Sequence, residues 1–128
     1  MLEKLFGNAV IEKILFYLLV NQKGYATELK KKLGIPLYSI QIALARLEQG
    51  GIVVRQPHGR TQVYQYNPRY QFLNELQAFL KKAYDSLPQD LRKKFYKTAI
   101  ERDRAEKVNL YDQMGKNTEK MVASTSFQ

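Results

Sequence analysis

The 128-residue sequence predicts a mainly α-helical fold with one small β-hairpin. Three observations predict it. Apolar residues recur at helical spacing through segments 8–21, 26–33, 36–49 and 68–84. Two runs rich in β-branched and aromatic residues, "IVVRQ" (52–56) and "QVYQY" (62–66), enclose the turn-forming "PHGRT" (57–61). The second and third helices are parted only by "GIP" (34–36), and two short helices joined so tightly must cross at a steep angle.

The first helix is predicted from Asn8, an N-cap type following Gly7, to Asn21. Its apolar residues Val10, Ile11, Ile14, Leu15, Leu18 and Leu19 cover more than one face. That breadth predicts contacts with its own domain and with a second subunit. In "ATELKKKLGIP" (26–36), Leu29 and Leu33 stand four apart on one face, Gly34 stops the helix and Pro36 begins the next. At about 100° per residue, Leu37, Ile40, Leu44 and Leu47 fall within roughly 80° of one another and are assigned to the core.

After the hairpin, Asn67-Pro68 reads as an N-cap and first helical residue, opening a helix to about Tyr84. Its apolar stripe from Phe72 to Tyr84 needs a cover. "SLPQ" (86–89) has capping-box spacing and starts a last helix, in which Leu91, Phe95 and Ile100 suit packing while "ERDRAEK" (101–107) is almost wholly polar. Beyond Gly115 the residues are polar and small and are expected to be poorly ordered. Residues 1–84 are accordingly read as one domain and 85–128 as a helical extension with a flexible tail.

Against this frame the charge is unusual: 21 Lys and Arg face 12 Asp and Glu, a formal net charge of +9. Such a balance favours a polyanionic partner. With no cysteine there is neither a disulfide nor a thiolate metal site, and no cofactor is implied. The most apolar run, "ILFYLLV" (14–20), falls far short of the roughly 20 residues a membrane-spanning helix needs. No signal peptide opens the chain, so a cytoplasmic protein without membrane contact is expected.

The order helix, helix-turn-helix, two-stranded wing, helix resembles the winged helix-turn-helix proteins. The residues that carry the resemblance are "LEKLFGNAVIEKILFYLLV", "ATELKKKLGIPLYSIQIALARLEQGGIVV" and "GRTQVYQYNPRYQFLNELQAFL", roughly the first two thirds of the chain. They are similar to small prokaryotic ArsR-like transcriptional regulators. "LEKLFG" and "YNPRYQFLNEL" are also similar to winged-helix domains found beside or fused to nucleotidyltransferase domains. Two departures stand out: Lys30 where the second helix usually has a small residue, and Ile42 with Ala45 where the third is usually more polar. The metal-sensing branch of the ArsR-like family uses Cys or His clusters, and a chain with no Cys and only His58 does not carry that role.

The resemblance implies a sequence-specific double-stranded DNA-binding regulator acting as a homodimer. Its reading helix is 36–49, whose face opposite the core stripe carries Tyr38, Ser39, Ile42, Arg46 and Gln49, flanked by Gln41 and Ala45. Gln41 has the donor–acceptor pair that matches an adenine edge, Ile42 can press on a thymine methyl, and Arg46 can reach guanine or a phosphate. Tyr38 and Ser39 sit at the end that meets bases or backbone. Cations for phosphates need not lie on that helix. Lys30 and Lys31 lie within "KKK" (30–32) on the preceding helix, with Thr27 near its start. Arg55 lies on the first wing strand, and His58, Arg60 and Thr61 occupy the wing tip.

A two-fold dimer sets two reading helices about 34 Å apart, one DNA turn. The first helix and the stripe from Phe72 to Tyr84 are the expected dimer surfaces. The rival reading is a protein-interaction module in which Tyr38, Ile42 and Ala45 dock a protein such as a nucleotidyltransferase-like subunit. Enzymatic activity is not expected: no glycine-rich phosphate loop or metal-ligand cluster is present, and Glu101 and Asp103 point in different directions. A small-molecule effector could bind between the last helices, but no residue set demands one.

Overall fold

A computed structural model describes residues 1–96, and Met1–Tyr96 is a compact unit. The expectations about Ile100, segment 101–107 and the residues after Gly115 lie outside the described residues. A short helix α1 (Glu3–Phe6) precedes α2 (Ala9–Asn21), β1 (Lys23–Tyr25), α3 (Ala26–Leu33) and α4 (Leu37–Gln49). Then come β2 (Val53–His58), β3 (Thr61–Tyr66), α5 (Leu73–Asp85), α6 (Gln89–Leu91) and a π-helical turn at Arg92–Tyr96. The described residues are mostly helical, with one small antiparallel sheet in the order β1-β3-β2.

Helix α2 is the axis of the unit. Asn8 caps it as its side chain predicts, Oδ1 accepting from the Val10 N–H at 2.6 Å. Ile14, Leu15, Phe16, Tyr17 and Leu18 are all buried, so successive residues face different neighbours: α4, α5, α1, β1 and the π-helical turn. The breadth of its apolar surface is therefore covered largely within one chain. Val10, Leu19 and Val20 of the same helix are only half-buried.

Two buried hydroxyls fasten other elements to that axis. The Tyr66 hydroxyl, at the base of the hairpin, donates to the Leu15 carbonyl at 2.6 Å. The Tyr17 hydroxyl donates to Glu28 Oε1 on α3 at 2.7 Å. Burial pushes both phenols up, and the Glu28 carboxylate adds to the rise at Tyr17. Gly24 allows the second junction: a Cβ there would meet Tyr17 Cε1 at 3.0 Å and Glu28 Oε1 at 3.2 Å.

The sheet has three strands where the sequence predicted two. Lys23–Tyr25 pairs antiparallel with β3, Gly24 opposite Tyr64. Three residues with a central glycine are too short for alternation to announce a strand. The hairpin is also tighter than predicted. Pro57, His58 and Thr61 belong to the strands, His58 opposite Thr61, leaving Gly59-Arg60 as a two-residue turn. Gly59 there has φ +65°, a conformation glycine adopts at little cost.

Two predicted boundaries change at the other end. Helix α5 begins at Leu73, not at Pro68. Asn67 instead ties the hairpin exit to the α4–β2 turn, its Nδ2 donating to the Gly51 carbonyl at 2.8 Å while its Oδ1 accepts from the Arg69 N–H. Nor does Ser86 cap the following helix. Its hydroxyl donates back to the Lys82 carbonyl at 3.0 Å, finishing α5, and Pro88 stands at the start of α6. Tyr96 closes the chain's path over α2, buried edge-on against Phe16, with its carbonyl accepting from Asn21 Nδ2 at 2.7 Å.

Candidate nucleic-acid interface

Helix α4 is held by the inner face that periodicity marks. Ile40, Ala43, Leu44 and Leu47 are buried against α2, α3 and β2, while Leu37, assigned to the core, is half-buried. The opposite arc of about 140° carries Gln41, Ala45, Tyr38, Gln49, Ile42 and Arg46 in that angular order, all exposed. Tyr38 is 74% exposed and Ile42 41%. Tyr38, Gln41, Ile42 and Arg46 thus share one surface, as their spacing predicts. Ala45, read as a flank, lies at its middle; Ser39, read as part of it, is half-buried at its margin.

Helix α3 packs beside α4, joined through Gly34 in the left-handed region at φ +68°. Leu29 and Leu33 are buried beneath it, and Thr27, Lys30 and Lys31 are exposed. Lys32 is half-buried. At about 100° per residue Lys30 and Lys32 project roughly 160° apart, so "KKK" is not a single patch. Thr27 and Lys31, about 40° apart, project together from the side away from the leucines.

At the hairpin tip His58, Arg60 and Thr61 are all exposed. The Thr61 hydroxyl donates to the His58 carbonyl at 2.9 Å, bracing the turn from which Arg60 projects. Arg55 is different. Its Nε lies 3.1 Å from Glu48 Oε2 on α4, so its charge is matched within the chain. Sequence reasoning missed this pair, although opposite charges on either side of the Gly50-Gly51 turn were a legible signal. The pair is solvent-exposed and contributes at most about 1 kcal/mol, but it ties the hairpin to the α4 C-terminus.

The outward α4 face thus has Arg46 as its only cation, and further exposed cations lie on α3 and at the hairpin tip. The hairpin from Val53 to Tyr66 contains Arg55 and Arg60 and no acidic residue. Chemically this arrangement offers amide and apolar groups to a partner's edge and ammonium or guanidinium groups to anions beside it. Among the described residues no group of three His, Cys, Asp or Glu side chains could hold a metal ion, and no helix is long and apolar enough to cross a membrane. Comparison with known proteins found no match to any family model, curated protein or solved structure.

Proposed function

We propose that the protein is a winged helix-turn-helix regulator that binds double-stranded DNA sequence-specifically as a homodimer. In this reading α3 and α4 are the helix-turn-helix, the β2–β3 hairpin is the wing, and α4 enters the major groove. The observation that carries it is the outward α4 face: amide, hydroxyl and aliphatic groups without an acidic side chain, in a chain whose α3 and hairpin tip carry exposed cations. Gln41 and Ile42 read base edges, Arg46 reaches guanine or a phosphate, and Lys30, Lys31 and Arg60 engage the backbone. Thr27 and Tyr38 add neutral donors to phosphate oxygens, and His58 and Thr61 accompany Arg60 at the tip. Arg55 serves the wing's placement through Glu48 more than it serves phosphates. Ser39, at the margin, is the weakest member of the reading set.

Selection of bound sequences from random duplex DNA tests this reading. An imperfect palindrome is the expected product, its half-sites about one helical turn apart. Recovery of no preferred duplex overturns sequence-specific binding. The exposed Tyr38 and Ile42 favour one rival, a module that docks a partner protein by the same face. It predicts that Ile42→Ala abolishes capture of a protein partner while duplex DNA is ignored.

A further inference from the structure

We infer that α5 carries a self-complementary face on which a second copy of this chain docks antiparallel, across a two-fold axis at Phe79. The inference rests on the dimeric reading above and assigns that dimer its surface. Helix α5 turns Leu80 into the core, yet leaves Phe79 44% exposed, and Phe72, just before its first turn and edge-on to Tyr70, is 54% exposed. Glu75, Phe79 and Lys82 fall within about 60° of helix surface, with Phe72 on the adjoining edge. Each large exposed ring otherwise remains in water, at a loss of roughly 25 cal/mol for every Å² that burial would remove.

The order of charges identifies the occupant. At about 1.5 Å per residue, Glu75 lies roughly 6 Å to one side of Phe79 and Lys82 roughly 4.5 Å to the other. A two-fold axis through Phe79 reverses the helix and brings Glu75 of each copy level with Lys82 of the other, to within about 1.5 Å along the axis. Two ion pairs then flank a central Phe79–Phe79 contact, and Phe72 of each copy reaches the end of the other α5 near Ser86. A parallel arrangement in register sets like charges opposite each other instead. Neither Glu75 nor Lys82 has an ion-pair partner among the described residues. The pair that α5 makes within itself, Lys81 with Asp85 at 3.7 Å, uses a side turned about 120° or more from Phe79. A face bearing both signs in this order fits its own copy and opposes a polyanion.

Sedimentation of the full chain without DNA tests the surface separately from DNA binding. The wild type should show a concentration-dependent monomer–dimer equilibrium. Glu75→Lys and Lys82→Glu should each weaken it about tenfold or more, because each sets like charges level across the axis. The double exchange Glu75→Lys/Lys82→Glu should restore it to within about threefold of the wild type. Because the chain has no cysteine, Phe79→Cys should give a disulfide-linked dimer on mild oxidation. A dimer indifferent to both single exchanges means that another surface pairs the copies, and it overturns the assignment while leaving the dimeric regulator intact. A chain that stays monomeric, with F79C shielded from a thiol reagent, means that the chain covers this face itself. Monomers with a reactive F79C thiol mean that the face stays bare, and either result overturns the proposal.

Discussion

Helices α4 and α5 each span 13 residues, and each sets one face in the core while leaving large apolar side chains outside. They differ in where the charge lies. The exposed arc of α4 carries Arg46 alone, and the other exposed cations of the candidate interface belong to α3 and the hairpin. The exposed side of α5 holds both signs, Glu75 and Lys82, on either side of Phe79. An apolar patch with little charge of its own, in a chain with exposed cations on other elements, suits a polyanion with readable edges; one flanked by its own opposite charges suits a copy of itself. Exposure of apolar groups is common to both helices, and the two proposed partners, duplex DNA and a second copy, rest on the arrangement of charge.

The sharpest way to break this comparison is to cross from the outer to the inner faces. Leu44→Ala and Leu80→Ala should each lower unfolding free energy by about 2–5 kcal/mol, because both side chains are fully buried. Ile42→Ala and Phe79→Ala should change it far less, and urea unfolding measures all four. Outer-face losses that match the inner ones would mean that Ile42 and Phe79 are structural.

On α4, Gln41→Ala should relax discrimination at one base pair by about 1–3 kcal/mol without altering the dependence of affinity on salt. Competition between the preferred duplex and single-base variants measures it. Arg55→Ala is the smallest change: its charge is already matched by Glu48, so duplex affinity should fall by less than about 1 kcal/mol. A larger loss would make Arg55 a phosphate contact in its own right.

The inner framework makes a prediction of its own in alkali. Burial raises the phenols of Tyr17, Tyr66 and Tyr96 above their ordinary value near 10. The folded protein thus keeps protons that the unfolded chain gives up, and the contribution of these phenols to stability should be level up to about pH 9.5 and fall above about 10. Tyr66→Phe should make that fall shallower, as read from urea midpoints across the range, at the loss of about 1 kcal/mol for its hydrogen bond to Leu15.

Much of this was legible in the sequence where a local rule governed the outcome. Asn8 caps α2, Gly34 stops α3, and Ile40, Leu44 and Leu47 are buried at the spacing that periodicity requires. Segments governed by distant partners were not legible. Lys23–Tyr25 becomes a strand only because β3 lies alongside it, and Asn67 bonds to Gly51 in preference to capping a helix. The helix α2 shows the same limit in its packing. Its apolar breadth was visible, but which surfaces would cover it depended on elements up to Tyr96. For the candidate interface, periodicity identified the α4 face, while the pairing of Arg55 with Glu48 needed the fold.

Two kinds of contact, one sensing sequence and one gripping backbone, meet on the same protein surface in this account. Duplex affinity against salt concentration, measured for the wild type, Arg60→Ala and Ile42→Ala, separates them most directly. Log affinity should fall steeply and linearly with log salt for the wild type, with the slope shallower by about one for Arg60→Ala and unchanged for Ile42→Ala. A flat wild-type response, or an Arg60→Ala slope equal to that of the wild type, would contradict the division of labour between hairpin tip and reading helix.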